Sequence, residues 1–246
     1  MLGHDSEFGL SKGGVIHSAL SSLDSGEVPE GRWFPDNLNA EIAISPVNTL
    51  KEWHHNTVVL LDKVRSQGFD LVMRPVIKYD DRDLSHPQAL ISGCNPDYNA
   101  YAGGVENESP SFKTMDGIRS CGAHVHVGEE SIDPGRMSRW MDIYLGLPLL
   151  LKEERNTRRQ LYGAAGCYRP KPYGTEYRTL SNVWLDSQTL REFVWEGTHR
   201  ALEAARKGDI DQVEQWQDVV DSINNHDTVL AQQTIDRLYA WGVTSV

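Results

Sequence analysis

The chain has 246 residues, of which 39% are hydrophobic, and a formal net charge of −11. That length and composition suit a globular protein with a sizeable core, and one domain over 1–246 is expected. The acidic balance argues against extended nucleic acid as a partner, because a phosphate backbone needs a basic face to displace its counterions.

Residues 5–10 and 39–45 read as strands, being short and bounded by Gly, Asn or Pro. "TLKEWHHNTVVLLDKVRSQG", 49–68, has apolar residues at helical spacing and closes on Gly68, with His54 and His55 as packing or surface residues. A strand is expected over 71–79, and 94–111, "CNPDYNAYAGGVENESPS", reads as a long loop of the kind that carries function. Within it Asp97 and Asn99 suit either an Asx turn or a substrate contact. A strand at 121–128 precedes a second long helix over 137–161, which Pro148 should kink or interrupt. After a strand at 174–180, the tail from 187 to 246 reads as two or three amphipathic helices broken near Gly208 and at "NNHD", covering the sheet. Strands and helices without strict βαβ alternation predict an α+β fold with a largely antiparallel sheet, one face open to ligand.

The longest apolar run, "YLGLPLLL", is too short to span a bilayer, and the opening "MLGHDSEFGL" lacks the pattern of an export signal, so no membrane partner is expected. Cys94, Cys121 and Cys167 show no CxxC spacing, which fits a cytoplasmic protein, and Cys94 and Cys121 read as small buried thiols.

Three strands each present two polar residues at i, i+2, which a strand aims to one side: Asp5 and Glu7, His124 and His126, Glu176 and Arg178. Glu41 projects from a fourth. Alone, His-x-His on a strand is more often a hydrogen-bonded structural pair or a zinc fragment than part of an ATP site. Together these groups are too costly to bury without a cation and an anion. Oxygen ligands with an imidazole and no thiolate favour Mg²⁺ or Mn²⁺, which shares its coordination with phosphates. Arg155, Arg158, Arg159, Arg169, Lys171 and Arg178 form a cationic block for such phosphates, although Arg155 equally suits a salt-bridged helix surface. No GxxxxGK[ST] loop, GxGxxG turn or kinase-type catalytic loop is present, so any nucleotide must lie on a sheet surface.

The ordered blocks "GHDSEF", "NAEIAISP", "GCNPDYNAY", "RSCGAHVHVG" and "YGAAGCYRPKPYGTEYRTLSNVW", spanning roughly residues 3–185, resemble the phage-type carboxylate–amine ligases. These amidoligases (COOH-NH2 ligase type 2) are relatives of glutamine synthetase and glutamate–cysteine ligase. The resemblance implies that superfamily's antiparallel half-barrel, two or more divalent metals, ATP, and an acyl phosphate attacked by an amine. It implies Asp5, Glu7, Glu41, His124 and Glu176 as metal ligands. It further implies ATP contacts from His126, Arg158, Arg159, Lys171 and Arg178, with Arg178, Arg169 and Glu41 serving catalysis and Arg178 beside the transferred phosphate. The further substrate-side carboxylate has no clear match, and Asp36 is a candidate. The separate N-terminal β-domain of glutamine synthetase has no counterpart, so its ring assembly is not inferred. A metal-dependent hydrolase on the same ligands, and a binding protein that keeps the fold without turnover, are the competing readings. Neither the carboxylate, an amino acid or peptide in this reading, nor the amine is identified, and the oligomeric state stays open.

Overall fold

The computed structural model describes residues 1–90, 96–108, 117–208 and 216–240. Its strands are β1 (Leu2–Lys12), β2 (Val15–His17), β3 (Gly26–Val28), β4 (Gly31–Asp36), β5 (Asn39–Ile44), β6 (Asp70–Val72) and β7 (Val76–Lys78). They continue as β8 (Tyr98–Asn99), β9 (Val105–Glu106), β10 (Ile118–Ser120), β11 (Ala123–Gly128), β12 (Cys167–Lys171) and β13 (Gly174–Tyr177). The helices are α1 (Ala19–Ser22), α2 (Leu50–Arg65), α3 (Asp81–Leu84), α4 (Pro134–Met141), α5 (Leu147–Leu150), α6 (Arg158–Leu161), α7 (Gln188–Lys207), α8 (Trp216–Asn225) and α9 (Thr228–Ala240). Among the described residues, eleven strands form one open sheet in the order β3-β4-β5-β1-β11-β13-β12-β8-β9, with β2 and β6 on the far end of β1. Neighbouring strands pair antiparallel, as the α+β reading expects.

Alternation decides which face each residue occupies. Leu2, His4, Ser6, Phe8 and Leu10 of β1, Ala40, Ile42 and Ile44 of β5, and Ala123, Val125 and Val127 of β11 are all buried. This face receives the helical layer. Thr49 and Glu52 close a capping box at the start of α2, a device worth ~1 kcal/mol, and the helix buries Trp53, Thr57, Leu60, Leu61 and Val64. His4 gives one ring nitrogen to Thr57 Oγ1 at 2.8 Å and packs edge-on against Trp53 and Trp184.

Two predicted elements are divided. The expected strand over 71–79 is β6, which extends the large sheet, and β7, which pairs with β10 in a separate ribbon. Pro75 between them has no N–H to give a ladder, so the chain changes sheets there. The expected helix over 137–161 starts earlier, as α4, passes through a π-helical turn at Asp142–Gly146, and ends with α5. In that turn Leu147 N–H bonds Asp142 O, and the Asp142 carboxylate takes Tyr177 OH and Gly166 N–H at 2.6 Å each. Pro148 therefore opens α5 rather than kinking a longer helix. "EERNTRRQL" is mostly loop, because the Glu153 carboxylate is committed to Arg159, Asn156 and Ser181.

The tail breaks at Gly208 and after Asn225, as expected, and Asp227 caps α9. It packs chiefly on α4, the π turn and α5, so it covers the helical layer more than the sheet. No helix among the described residues is long and apolar enough to cross a membrane.

Candidate active site

Register lines the polar residues up on the other face of the sheet. Asp5 stands opposite His124, Glu7 opposite Glu41, His126 opposite Glu176, and Glu176 opposite Arg169 on its other side. Asp36 enters the same face from β4, opposite Asn39. Residues from six strands thus share one surface.

Two groups of ligand-type atoms emerge. In the first, atoms of Asp5, His126 and Glu176 lie within 4.8 Å of one another. Asp5 bridges both histidines, with Oδ1 2.9 Å from His124 Nδ1 and Oδ2 3.0 Å from His126 Nε2. Burial pushes the Asp5 carboxyl up, but the combined pull of the two histidines outweighs it and holds the group well below the usual carboxylate range. Burial, with Arg178 adding to it, pushes His124 down to about 4, so this imidazole is neutral at physiological pH. His124 Nε2 is buried without a hydrogen-bond partner among the described residues, whereas His126 takes Tyr173 OH at 2.6 Å on its outer nitrogen. His126 rather than His124 completes the group with the carboxylates.

The second group is Glu7, Asp36 and Glu41, again within 4.8 Å, which draws Asp36 into the site. Burial, then the neighbouring Asp36, pushes Glu7 up to about 8, against the opposing Gly122 N–H that donates to its Oε2 at 3.0 Å. Burial together with Asp5 and Glu7 lifts Glu41 well above the usual range, and Asp36 rises for the same first reason. Three crowded carboxylates that resist ionisation are what a divalent cation relieves, and an all-oxygen donor set suits Mg²⁺ or Mn²⁺.

The cations converge on Glu176, which is fully buried. Arg169 Nη1 lies 3.1 Å and Lys171 Nζ 2.6 Å from its carboxylate, and Arg178 Nη1 also donates to it. Arg178 further donates to Tyr162 OH, lies across that ring at 5.1 Å, and sits 3.5 Å from Asp97. Arg158 and Arg159 are not brought to this face. Arg158 is fully buried and donates to Thr179 O at 2.7 Å and Arg178 O at 3.3 Å, bracing the backbone beneath Arg178. Arg159 pairs with buried Glu153 at 3.0 Å, and Arg155 is exposed. Asn99 makes the Asx turn, accepting from Tyr101 and Ala102 N–H, while His54 and His55 face Glu192 and Glu30. Cys121 and Cys167 are buried thiols, and Cys94 lies outside the described residues.

A cleft of about 420 Å³ adjoins the first group, bounded by Gly3, Asp5, Ala43, Ile44, His126 and Lys171. Arg32 and Tyr173 complete its rim. None of Arg32, Tyr162 and Tyr173 is singled out from the sequence, although both tyrosines lie within the block "YGAAGCYRPKPYGTEYRTLSNVW". The signal for Arg32 is the Arg32–Phe34–Asp36 alternation, which Pro35 disguises as a turn.

The glycine in "RSCGAHVHVG" has a steric cause: a Cβ on Gly122 would lie 2.3 Å from His124 Nε2. Gly122→Ala is expected to destabilise the fold by about 1–3 kcal/mol through overpacking, measured by urea denaturation. An unchanged midpoint would mean that the imidazole has another place to go.

Residues 115–224 match the family model described as phage phiEco32-like COOH.NH2 ligase-type 2. The resemblance read from the sequence holds over the segment that carries His124, His126, Arg169, Lys171, Glu176 and Arg178. The chemistry of this COOH.NH2 ligase family joins a carboxylate to an amine. Asp5, Glu7, Asp36 and Glu41 lie before the matched segment and reach it through the pairing of β1 with β11. No curated protein matches the chain.

Proposed function

We propose that the protein is an ATP- and Mg²⁺-dependent (or Mn²⁺-dependent) carboxylate–amine ligase, which activates a small carboxylate, an amino acid or peptide, as an acyl phosphate and releases ADP. The observation that carries this reading is the pair of carboxylate-rich groups set side by side by Asp5 and Glu7, with Arg169, Lys171 and Arg178 at their edge. Asp5, His126 and Glu176 would hold one divalent ion, and Glu7, Asp36 and Glu41 a second. Bound there, the ions would supply charge neutralisation for phosphate oxygens. Glu176, if turned toward a cation, would free the guanidinium and ammonium N–H groups to donate to the phosphates, and Arg178 would stabilise the phosphoryl group in transfer. The cleft beside Asp5 and His126 offers room for the rest of the nucleotide. Buried free thiols at Cys121 and Cys167 fit a cytoplasmic setting.

Oxygen tracing tests the route. In acyl phosphate formation a carboxylate oxygen attacks the γ-phosphorus and leaves with inorganic phosphate when the amine displaces it. With an ¹⁸O-labelled carboxylate and its amine, identified by screening pairs for joint stimulation of ADP release, labelled phosphate should form in step with amide. Unlabelled phosphate, or AMP with pyrophosphate, would sink the route. A metal-dependent hydrolase would consume no ATP.

The second group also sets a pH dependence. Glu7 holds its proton up to about 8 in the metal-free fold, against an ordinary value of 4.5. Between those values the folded state binds more protons than the unfolded chain, so this group's contribution to stability falls as pH rises. A divalent ion bound by Glu7, Asp36 and Glu41 would compete with that proton. The rise in Tm from Mg²⁺ relative to EDTA should therefore grow from pH 5.5 to pH 8, and a shift that is flat or shrinks with pH would count against metal binding at Glu7.

A further inference from the structure

The hairpin between β12 and β13 turns through Pro172 and Tyr173, with Lys171 paired to Gly174. Gly174 has φ +138, and a Cβ there would lie 2.3 Å from Val127 O, so only glycine lets the hairpin tip close onto the end of β11. That closure carries the Tyr173 ring over His126, with ring centroids 6.1 Å apart and the phenol oxygen 2.6 Å from Nδ1. Tyr173 remains 41% exposed, so packing does not account for its position.

On the reading that Asp5, His126 and Glu176 hold a divalent ion, we propose that Tyr173 is a positioning residue, which fixes the His126 ring and presents its Nε2 lone pair to that ion. A phenol can donate or accept, and both roles are needed. With Nε2 protonated, the ring donates to Asp5 Oδ2 and the phenol donates to Nδ1. With Nε2 bare and facing a cation, the proton sits on Nδ1 and is donated to the phenol oxygen. The two arrangements differ in which ring nitrogen carries the proton. Neither neighbour substitutes for the phenol: Lys171 is committed to Glu176 and Asp5 to the opposite ring nitrogen.

The test uses Mn²⁺ alone with the full chain and the Tyr173→Phe variant. Calorimetric titration should give about 10–100-fold weaker binding at one site in the variant, the range seen when a ligand histidine loses its outer partner. Electron spin-echo modulation from an imidazole nitrogen bound to Mn²⁺, present in the wild type, should be reduced or lost. Thermal stability in EDTA should match that of the wild type, which separates positioning from folding. Equal affinity and equal nitrogen coupling in the two proteins would overturn this inference alone. A wild type that binds no Mn²⁺ would overturn the metal reading and this inference with it.

Discussion

Glu176→Ala should cost the folded protein about 3 kcal/mol in urea denaturation, and inorganic phosphate should return part of that loss. The argument starts from burial: Glu176 is fully buried, and Arg169, Lys171 and Arg178 all point at its carboxylate. Removing one partner of a buried ion pair leaves the others desolvated and unbalanced, at about 3–5 kcal/mol. The lower end applies because Arg169 and Lys171 keep some contact with water. A phosphate dianion can then take the vacated place, so millimolar phosphate should raise the variant's Tm more than that of the wild type. The same variant should lose the excess Tm rise that Mg²⁺ and a non-hydrolysable ATP analogue give together over either alone. A loss below about 1 kcal/mol, or equal phosphate shifts, would show that the three cations do not depend on Glu176.

Arg178→Lys should lower kcat by about 10²–10³ while leaving KM for ATP within a few-fold. The guanidinium spans Glu176 on one side and Tyr162 OH on the other, a geometry that a single ammonium cannot reproduce. If that fork serves the transferring phosphoryl group, the loss falls on turnover. An effect confined to KM would move Arg178 to ground-state nucleotide binding.

The central fold and the polar face were legible because period-two alternation runs through "GHDSEF", "NAEIAI" and "AHVHVG", with the candidate ligands at every second position of the first and last. Short strands such as β8, β9 and β12 were not, since two to five residues carry too little pattern and their pairing partners lie far away in sequence. Arg158 shows the limit for single residues. An arginine beside other arginines suggests an anion site, yet its two terminal nitrogens donate to carbonyls of Thr179 and Arg178, a relation that exists only in three dimensions. Asp36 is the opposite case, only a candidate in "WFPDNLN" and brought beside Glu7 and Glu41 once β4 pairs with β5.

β1 lies in the middle of the sheet, with β5 on one side and β11 on the other. Synthesis reverses that arrangement in time. At ~5–20 residues per second the ribosome needs roughly 4–17 s to pass from Ile44 to Gly128, and over that interval the Leu2–Ser6 end of β1, which β11 later covers, has a bare edge. A long apolar strand with an unpaired edge invites pairing with other nascent chains, and inward-pointing charge is a known protection. Asp5 and Glu7 stand on that strand at alternate positions, so inward-pointing charge lines it until β11 arrives.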